Sequence, residues 1–417
     1  MLPRLLERIP RILHDVAFRR YWAGQSLSLI GSQVSGMAIP LTAVLVLNAT
    51  EGQMGLISAA VMIPSLFLSV HAGAWVDRRG RRRQTMLVAD LSRGLLLGSI
   101  PIAFYLGWLN VPWLIMVELL IGVCSVFFRV SSSTLFASLV SKDKYVEANS
   151  LIQGSDAFAW LAGPSIGGFL VQVLSAPAAL FADALSFGAS ALSLASIHPE
   201  EPPPARKEPG HLTAGLRFVW ASPVLRPLAL AQGTTSLFRG TFMAMYVLYV
   251  ANTLRVTPAE LGIILGPGSI GALLGSAVAA RTSGRLGLGT TFLVSTLLYT
   301  APGLLVPMVG GSHLLVVAVL FVAEAISGMG LMVSRVSYGS MQVAAVPDAL
   351  RSRVAGAMQI VTTGTFPLGA LLGGALATIV GVRGVLWAAS VGAVLGVLWL
   401  LPSPILRMRT VDEFLPN

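Results

Sequence analysis

Apolar stretches of about 20 residues or more alternate along this chain with short polar breaks. Such lengths cross a hydrocarbon core of roughly 30 Å as helix. Twelve spans are read at about 18–47, 53–76, 84–106, 112–138, 147–174, 177–197, 224–251, 258–280, 289–309, 313–338, 353–380 and 384–401. The pattern predicts an all-α integral membrane protein. Breaks on one side are very short, as at Gly107–Pro112 and Gly310–His313. One break is different. His198–Gly210 carries Glu200, Glu201 and three consecutive prolines, which preclude a span and read as a linker. It runs into His211–Ser222, where Leu212, Leu216, Val219 and Trp220 fall at helical spacing, as in a short helix lying on the membrane surface. The expected organisation is an N-terminal segment 1–17, a six-helix bundle 18–197, a linker with surface helix 198–223, a second six-helix bundle 224–401 and a tail 402–417.

Composition agrees with this reading. Charged residues make up 11% of the 417 and hydrophobic ones 55%, whereas soluble domains carry about 25% charged. A net charge of +10 could suggest a nucleic-acid partner, but its placement argues otherwise. Arg255 and Arg383 fall on one side and Arg93, Arg129, Arg239 and Arg335 within spans. The remaining 22 of the 28 Lys and Arg lie on the opposite side (28 − 2 − 4). Basic loops mark the cytoplasmic side, so both termini are expected there, in a cell (inner) membrane, and the charge needs no nucleic acid. The leader to His14 has Arg4, Arg8 and Arg11 but no apolar core or cleavage site of a secretory signal. The single cysteine, Cys124, excludes an intrachain disulfide and a Cys-based metal cluster. The five histidines show no metal-ligand spacing, and there is no phosphate-binding loop, so neither enzyme chemistry, a cofactor nor a metal is expected.

The two sets of six spans repeat each other. Glu118, Gly122, Arg129, Val130 and Ser131 reappear as Glu324, Gly328, Arg335, Val336 and Ser337 at an offset of 206 (324 − 118). The same offset takes Gln153 to Gln359 and Gly167-Gly168 to Gly373-Gly374. An offset of 207 takes Thr50 to Thr257, Gly55 to Gly262 and Arg78 to Arg285. Charges in register inside apolar spans point to duplication.

The densest charge in the chain lies between the second and third spans, Gly73-Ala-Trp-Val-Asp77-Arg78-Arg79-Gly80-Arg81-Arg82-Arg83. The turn is tight, which suits Gly80, and Asp77 at the end of one span followed by arginines at the start of the next can clasp neighbouring helices. Gly73, Asp77, Arg78, Gly80, Arg81 and Arg82 resemble the loop signature of the major facilitator superfamily, Gly-x-x-x-Asp-Arg-x-Gly-Arg-Arg. Gly163-Pro164-Ser165-Ile166-Gly167-Gly168 resembles the Gly-Pro-x-x-Gly-Gly signature of its exporters, although Ala159 stands where the fuller pattern has glycine. As plain physics, Gly163, Gly167 and Gly168 permit close helix packing and Pro164 a bend. With Phe18-Arg19-Arg20-Tyr21-Trp22 and Asp183-Ala-Leu-Ser-Phe187, the chain resembles the siderophore and macrolide (multidrug) exporter branch.

An ionisable group inside a bilayer costs at least about 2.5–3.5 kcal/mol on insertion scales and is a functional candidate by default. Glu118 and Arg129, eleven residues apart, share one helix face about 16 Å apart along the axis. The resemblance implies that the first, fourth, seventh and tenth spans line a central path, which Glu118, Arg129, Arg239, Glu324 and Arg335 would face. Alternatively Arg129 and Arg335 pair between helices or snorkel to headgroups. A proton carrier needs a carboxyl that loads on one side and empties on the other; the candidates are Glu118, Glu324 and Asp156. Many exporters of the superfamily have Arg where Glu118 stands. Asp90 and Arg93 read as a local ion pair and Asp183 as structural. Gln25, Ser26, Ser28 and Gln33, with Gln232, Thr234, Thr235 and Ser236, form a polar set beside Trp22, Phe242, Met243, Met245 and Tyr246. Each of these could equally pack against another helix.

The expected function is secondary active, proton-coupled efflux of amphipathic small organic molecules (drugs, macrolides or siderophore-like compounds) by a monomer working through alternating access. The resemblance implies that Asp77 latches the cytoplasmic side against the eleventh span, whose helix N-terminus favours an anion. A solute uptake permease or lipid flippase of the same fold stands as the alternative. A non-transporting sensor would carry a sizeable soluble domain or a longer tail.

Overall fold

The computed structural model describes residues 10–199, 201, 212–347, 350–410 and 413. The expected N-terminal segment before Pro10, most of the proline-rich linker and the end of the tail lie outside the described residues. The described elements are helical. They are α1 (Val16–Leu41), prolonged by a π-helical turn Thr42–Val46, α2 (Glu51–Ala60), α3 (Ile63–Arg79), α4 (Arg82–Tyr105), α5 (Val111–Leu139), α6 (Tyr145–Leu174) and α7 (Ala176–Ala195). There follow α8 (Leu212–Ala221), α9 (Leu225–Asn252), α10 (Pro258–Leu286), α11 (Leu288–Thr300), α12 (His313–Ala344) and α13 (Arg351–Leu395).

Ten of the described helical stretches are long and apolar enough to cross a membrane. The last, Arg353–Leu400, has 48 residues and is broken at Gly381, whose backbone is not helical. Helix α9 is not among the ten, since Gln232–Ser236 and Arg239 dilute its apolarity. Its 28 residues still reach about 42 Å. Prolines shape two of the expected spans. The second, expected over about 53–76, is built from α2 and α3, which part at Val61–Met62 because Pro64 has no N–H to give the carbonyl of Ala60. The ninth ends its α-helix at Thr300 and passes through a 3-10 turn Ala301–Leu304 around Pro302.

Turn chemistry bears out the duplication in an unexpected way. The described residues with left-handed φ form four pairs. Asn48 (φ 48°) and Arg255 (55°) are 207 apart (255 − 48), as are Gly80 (65°) and Gly287 (83°). Gly107 (74°) and Gly311 (102°) are 204 apart (311 − 107), and Ser175 (87°) and Gly381 (74°) 206 (381 − 175). Each marks the reversal between one apolar helix and the next. Thr50 and Thr257, aligned by sequence, both open a helix as a capping box, the first with Gln53 and the second with Glu260. Left-handed backbone is rare outside glycine, so its recurrence at four matched turns records two copies of one plan.

The chain forms two compact units, Met1–Thr42 with Phe67–Glu208, and Ala43–Leu66 with Pro209–Asn417. In the first, α1 lies against α6 and α7, and α4 against α5 and α7. The packing is close because small residues remove side chains from the contact. A Cβ on Gly163 would fall within 3.0 Å of Gln33, and one on Gly31 within 3.0 Å of Ser186 and Asp183. Tyr21, Met86, Leu135 and Leu194 form a buried cluster at one end. In the second unit α9 lies against α13, α10 and α11 against α12, and α2 against α13. The core there joins Val219 of α8 to Leu225, Phe292, Met341, Val354 and Leu400. The short helix α8 buries Val219 and leaves Trp220 exposed, as an amphipathic surface helix does.

Ser175 adopts φ 87° and ψ 156°, a region populated almost only by glycine. Ser175→Gly is expected to stabilise the protein by about 1 kcal/mol and Gly381→Ser to destabilise it by a similar amount or more. Thermal melting in detergent reads both.

Candidate functional site

The arginine loop in the first unit is held at three points. Gly80 makes the turn at φ 65°, and Asp77 approaches Arg82 at 3.9 Å. Glu201 then accepts the backbone N–H of Arg82 at 2.5 Å and of Arg83 at 2.9 Å, capping the open N-terminus of α4. The guanidinium of Arg83 donates to the carbonyls of Leu194 and Ala195, closing the C-terminus of α7. The loop, the end of α7 and the start of the linker are therefore one joint. Arg78 and Arg81 are exposed, and Gly73 has open space where a Cβ would be. Glu201 was invisible as a site residue in the sequence, because nothing in a proline-rich acidic stretch says which helix end it meets.

Two buried acids in this unit are saturated. Asp90 pairs with Arg93 and accepts the hydroxyl of Ser190 at 2.7 Å. The Arg93 guanidinium lies between the rings of Phe128 (4.2 Å) and Phe187 (4.3 Å), cation–π contacts that compensate its desolvation. Asp183 accepts from Ser35 at 2.5 Å and Ser186 at 2.8 Å, with Gly31 making room. Both arrangements tie α4 or α1 to α7.

Glu118 is different. Only 7% exposed on α5, it makes no hydrogen bond or ion pair with the described residues. Of the other expected groups in this unit, Arg129 is exposed at the far end of α5, Asp156 is half-buried on α6, and Gln25 buries its Nε2 without a protein partner. Gly163 and Gly167 face α1, beside the half-buried Pro164 and the buried Gly168. A pocket of about 390 Å³ opens between α1 and α6, lined by Trp22, Ser26, Ile30, Leu151, Ser155 and Phe158. Ser155 accepts from Trp22 and Ser26, each at 2.9 Å. Its uncharged, aromatic and hydroxyl-bearing wall has the size of a small-molecule site.

In the second unit, Glu324 does not repeat the isolation of Glu118. It lines a cavity of about 30 Å³ shared with Arg239, Tyr246, Tyr299, Thr235 and Ser390. Arg239 stacks on the ring of Tyr299 at 5.3 Å and makes no salt bridge with Glu324. Phe242 and Tyr246, which the sequence sets beside the polar positions, stack on each other at 5.5 Å and are buried in this wall. The cavity is too small for an organic molecule. Gln232 is half-buried on α9, and Arg335 is exposed. Ser390 was missed, since a serine in an apolar helix gives no signal of its own. Among the described residues no group of His, Cys, Asp and Glu could hold a metal ion.

Asp90→Ala leaves Arg93 buried and unpaired, and is expected to cost about 3–5 kcal/mol. Asp90→Ala combined with Arg93→Leu should recover most of that stability and retain transport, which melting curves and vesicle assays would check together.

Comparison with known proteins agrees with this architecture. The family described as transmembrane secretion effector matches residues 12–414. The multidrug efflux pump Tap of Mycobacterium tuberculosis is 27% identical over 398 residues, covering 91% of this chain and 92% of that one. The enterobactin exporter EntS of Shigella boydii is 27% identical over 295 residues, 67% of each chain. Among solved structures, a bacterial homologue of the iron transporter ferroportin superposes with a TM-score of 0.74 at 15% identity, covering 93% of this chain and 98% of that one. The nucleoside transporter NupG reaches 0.72 at 12% identity, covering 93% and 98%. At those identities the structures establish the fold. The duplicated membrane helices, the arginine loop and the family match lead to one assignment: the chain belongs to the transmembrane secretion effector family of the major facilitator superfamily, and is a multi-pass membrane transporter.

Proposed function

We propose that this transporter exports amphipathic small organic molecules in exchange for protons, by alternating access, as a monomer in the cell membrane with both termini cytoplasmic. Glu118 carries the reading. An ionised carboxylate buried in an apolar helix and without a partner among the described residues is expensive, whereas a proton makes it neutral and tolerable. Such a group can hold a proton in one conformation and release it in another in which water reaches it. Saturated acids such as Asp90 and Asp183 are poor carriers, because their hydrogen bonds and ion pair favour one fixed state. Glu324 is the second carrier candidate by duplication and Asp156 a third.

The efflux direction and substrate class draw support from the similarity to Tap, a multidrug efflux pump, and EntS, an enterobactin exporter. The α1–α6 pocket supports the same class, since aromatic and aliphatic walls with one hydroxyl cluster suit greasy molecules carrying few polar atoms. Gln25, Gln232, Arg129, Arg239 and Arg335 are further candidates for substrate contact. Asp77 and the arginine loop serve gating, through the joint that links α3, α4, α7 and the linker.

Everted vesicles bathed in a panel of dyes, antibiotics and siderophores test the proposal. An imposed proton gradient should drive accumulation in everted vesicles, and a protonophore should abolish it. Glu118→Gln should bring gradient-driven transport to background at unchanged protein level, with substrate binding retained. Transport indifferent to the gradient, or running only in the uptake direction, would overturn the reading. Asp77→Asn is expected to slow turnover without weakening substrate binding; an unchanged rate removes Asp77 from gating.

A further inference from the structure

The 30 Å³ cavity of the second unit carries several polar groups in a wall that is mostly apolar. Thr235 Oγ1, Tyr246 OH and Ser390 Oγ are buried with no hydrogen-bond partner among the described residues. Their residues are 4%, 2% and 2% exposed, and all three line this one cavity. Buried hydroxyls in native proteins are nearly always satisfied, so three orphans around one void point to something within it. The volume exceeds the roughly 10–15 Å³ that one water needs, and the wall offers more than the two polar partners that hold it. It is far below the roughly 300 Å³ of small organic sites, and Arg239 in the same wall disfavours a metal cation.

Few of the groups that line the cavity with Glu324 are charged or titratable. From α9 come Arg239 and Tyr246, and from α11 Tyr299, whose ring carries the Arg239 guanidinium. From α10 comes the backbone of Gly268, where a Cβ would lie 3.6 Å from Glu324 Oε2. From α13 come Ser390, Ala389 and Ala393, and from the turn after α11 Pro302 and Gly303. No second carboxylate lines the cavity.

We propose that this cavity is a water site that serves Glu324 as its proton path, a proposal that rests on the proton-driven reading above. One or two ordered waters, held by Tyr246, Thr235 and Ser390, reach the Glu324 carboxylate. A hydronium arriving at the outer water gives its extra proton along the pair. The inner water passes one proton to a carboxylate oxygen and regains one from its neighbour, so both waters end neutral. Tyr246, Thr235 and Ser390 remain protonated throughout as positioning residues. Arg239 lines the same cavity and, making no salt bridge with Glu324, does not lock the carboxylate.

Infrared difference spectroscopy of the full chain in nanodiscs, titrated with acid, tests this directly. The carboxylic C=O stretch of Glu324 is identified by its loss in Glu324→Gln. In Tyr246→Phe/Ser390→Ala the stretch should shift to the higher frequency of a less hydrogen-bonded acid, and the O–H band of the confined water should vanish. Proton uptake at Glu324 should slow by about 100-fold, the low end of what positioned proton transfer contributes. Ser390→Thr, which keeps the hydroxyl, should retain band and rate. If the double variant folds, by its melting curve, and leaves the stretch, water band and uptake rate unchanged, the proposal is overturned. Should that variant not fold, Thr235→Val carries the same expectations and the same refutation. Export driven by the gradient with an indifferent Glu324 band sinks the water path alone. The expected spectral changes with gradient-independent export sustain the water site and sink its proton-coupling role.

Discussion

A charge inside a bilayer has to be paired, neutralised or brought to water, and this requirement orders the rest of the structure. In the first unit it produces two kinds of acid. Asp90 and Asp183 are surrounded by donors, and their bonds to Arg93, Ser190, Ser35 and Ser186 fasten helices together. Glu118 has no such partners. A carboxylate therefore fastens helices at two positions and stands without a described partner at a third, and the neighbours distinguish them.

Duplication supplied the framework on which this distinction evolved. The reversals of the chain recur with matched left-handed residues, and the capping boxes at Thr50 and Thr257 recur with them. Backbone geometry has been kept where side-chain surroundings have not. Glu118 is isolated, while its counterpart Glu324 shares a small polar cavity with Arg239 and three unpaired hydroxyls. The arginine loop has diverged further, since Gly284 stands where an acid matching Asp77 would be. Two copies of one backbone thus hold unequal chemistry.

The loop itself acts through helix ends. Glu201 occupies the positive N-terminus of α4 and Arg83 the negative C-terminus of α7, so the charges complement two helix dipoles as well as each other. A shift of either helix must break or carry these bonds, which couples the start of the linker to helix position.

By itself the amino-acid sequence determined the membrane class, the helix-rich fold, the duplication and the superfamily. Those follow from local quantities: the length of apolar runs, charge counts per loop, and a motif whose glycine and acid have fixed spacing. It also placed Asp90 beside Arg93, because residues three apart on a helix must meet. It could not divide Glu118 from Glu324, assign Glu201 to the end of α4, or find Ser390. Nor did it show that Pro64 interrupts the helix of the second span. Partners for these groups come from segments more than a hundred residues away or from the other side of a cavity, as Glu201 and Arg82 do. Tertiary packing alone decided which buried carboxylate is saturated and which has no partner among the described residues, because hydrogen bonding depends on what surrounds a side chain.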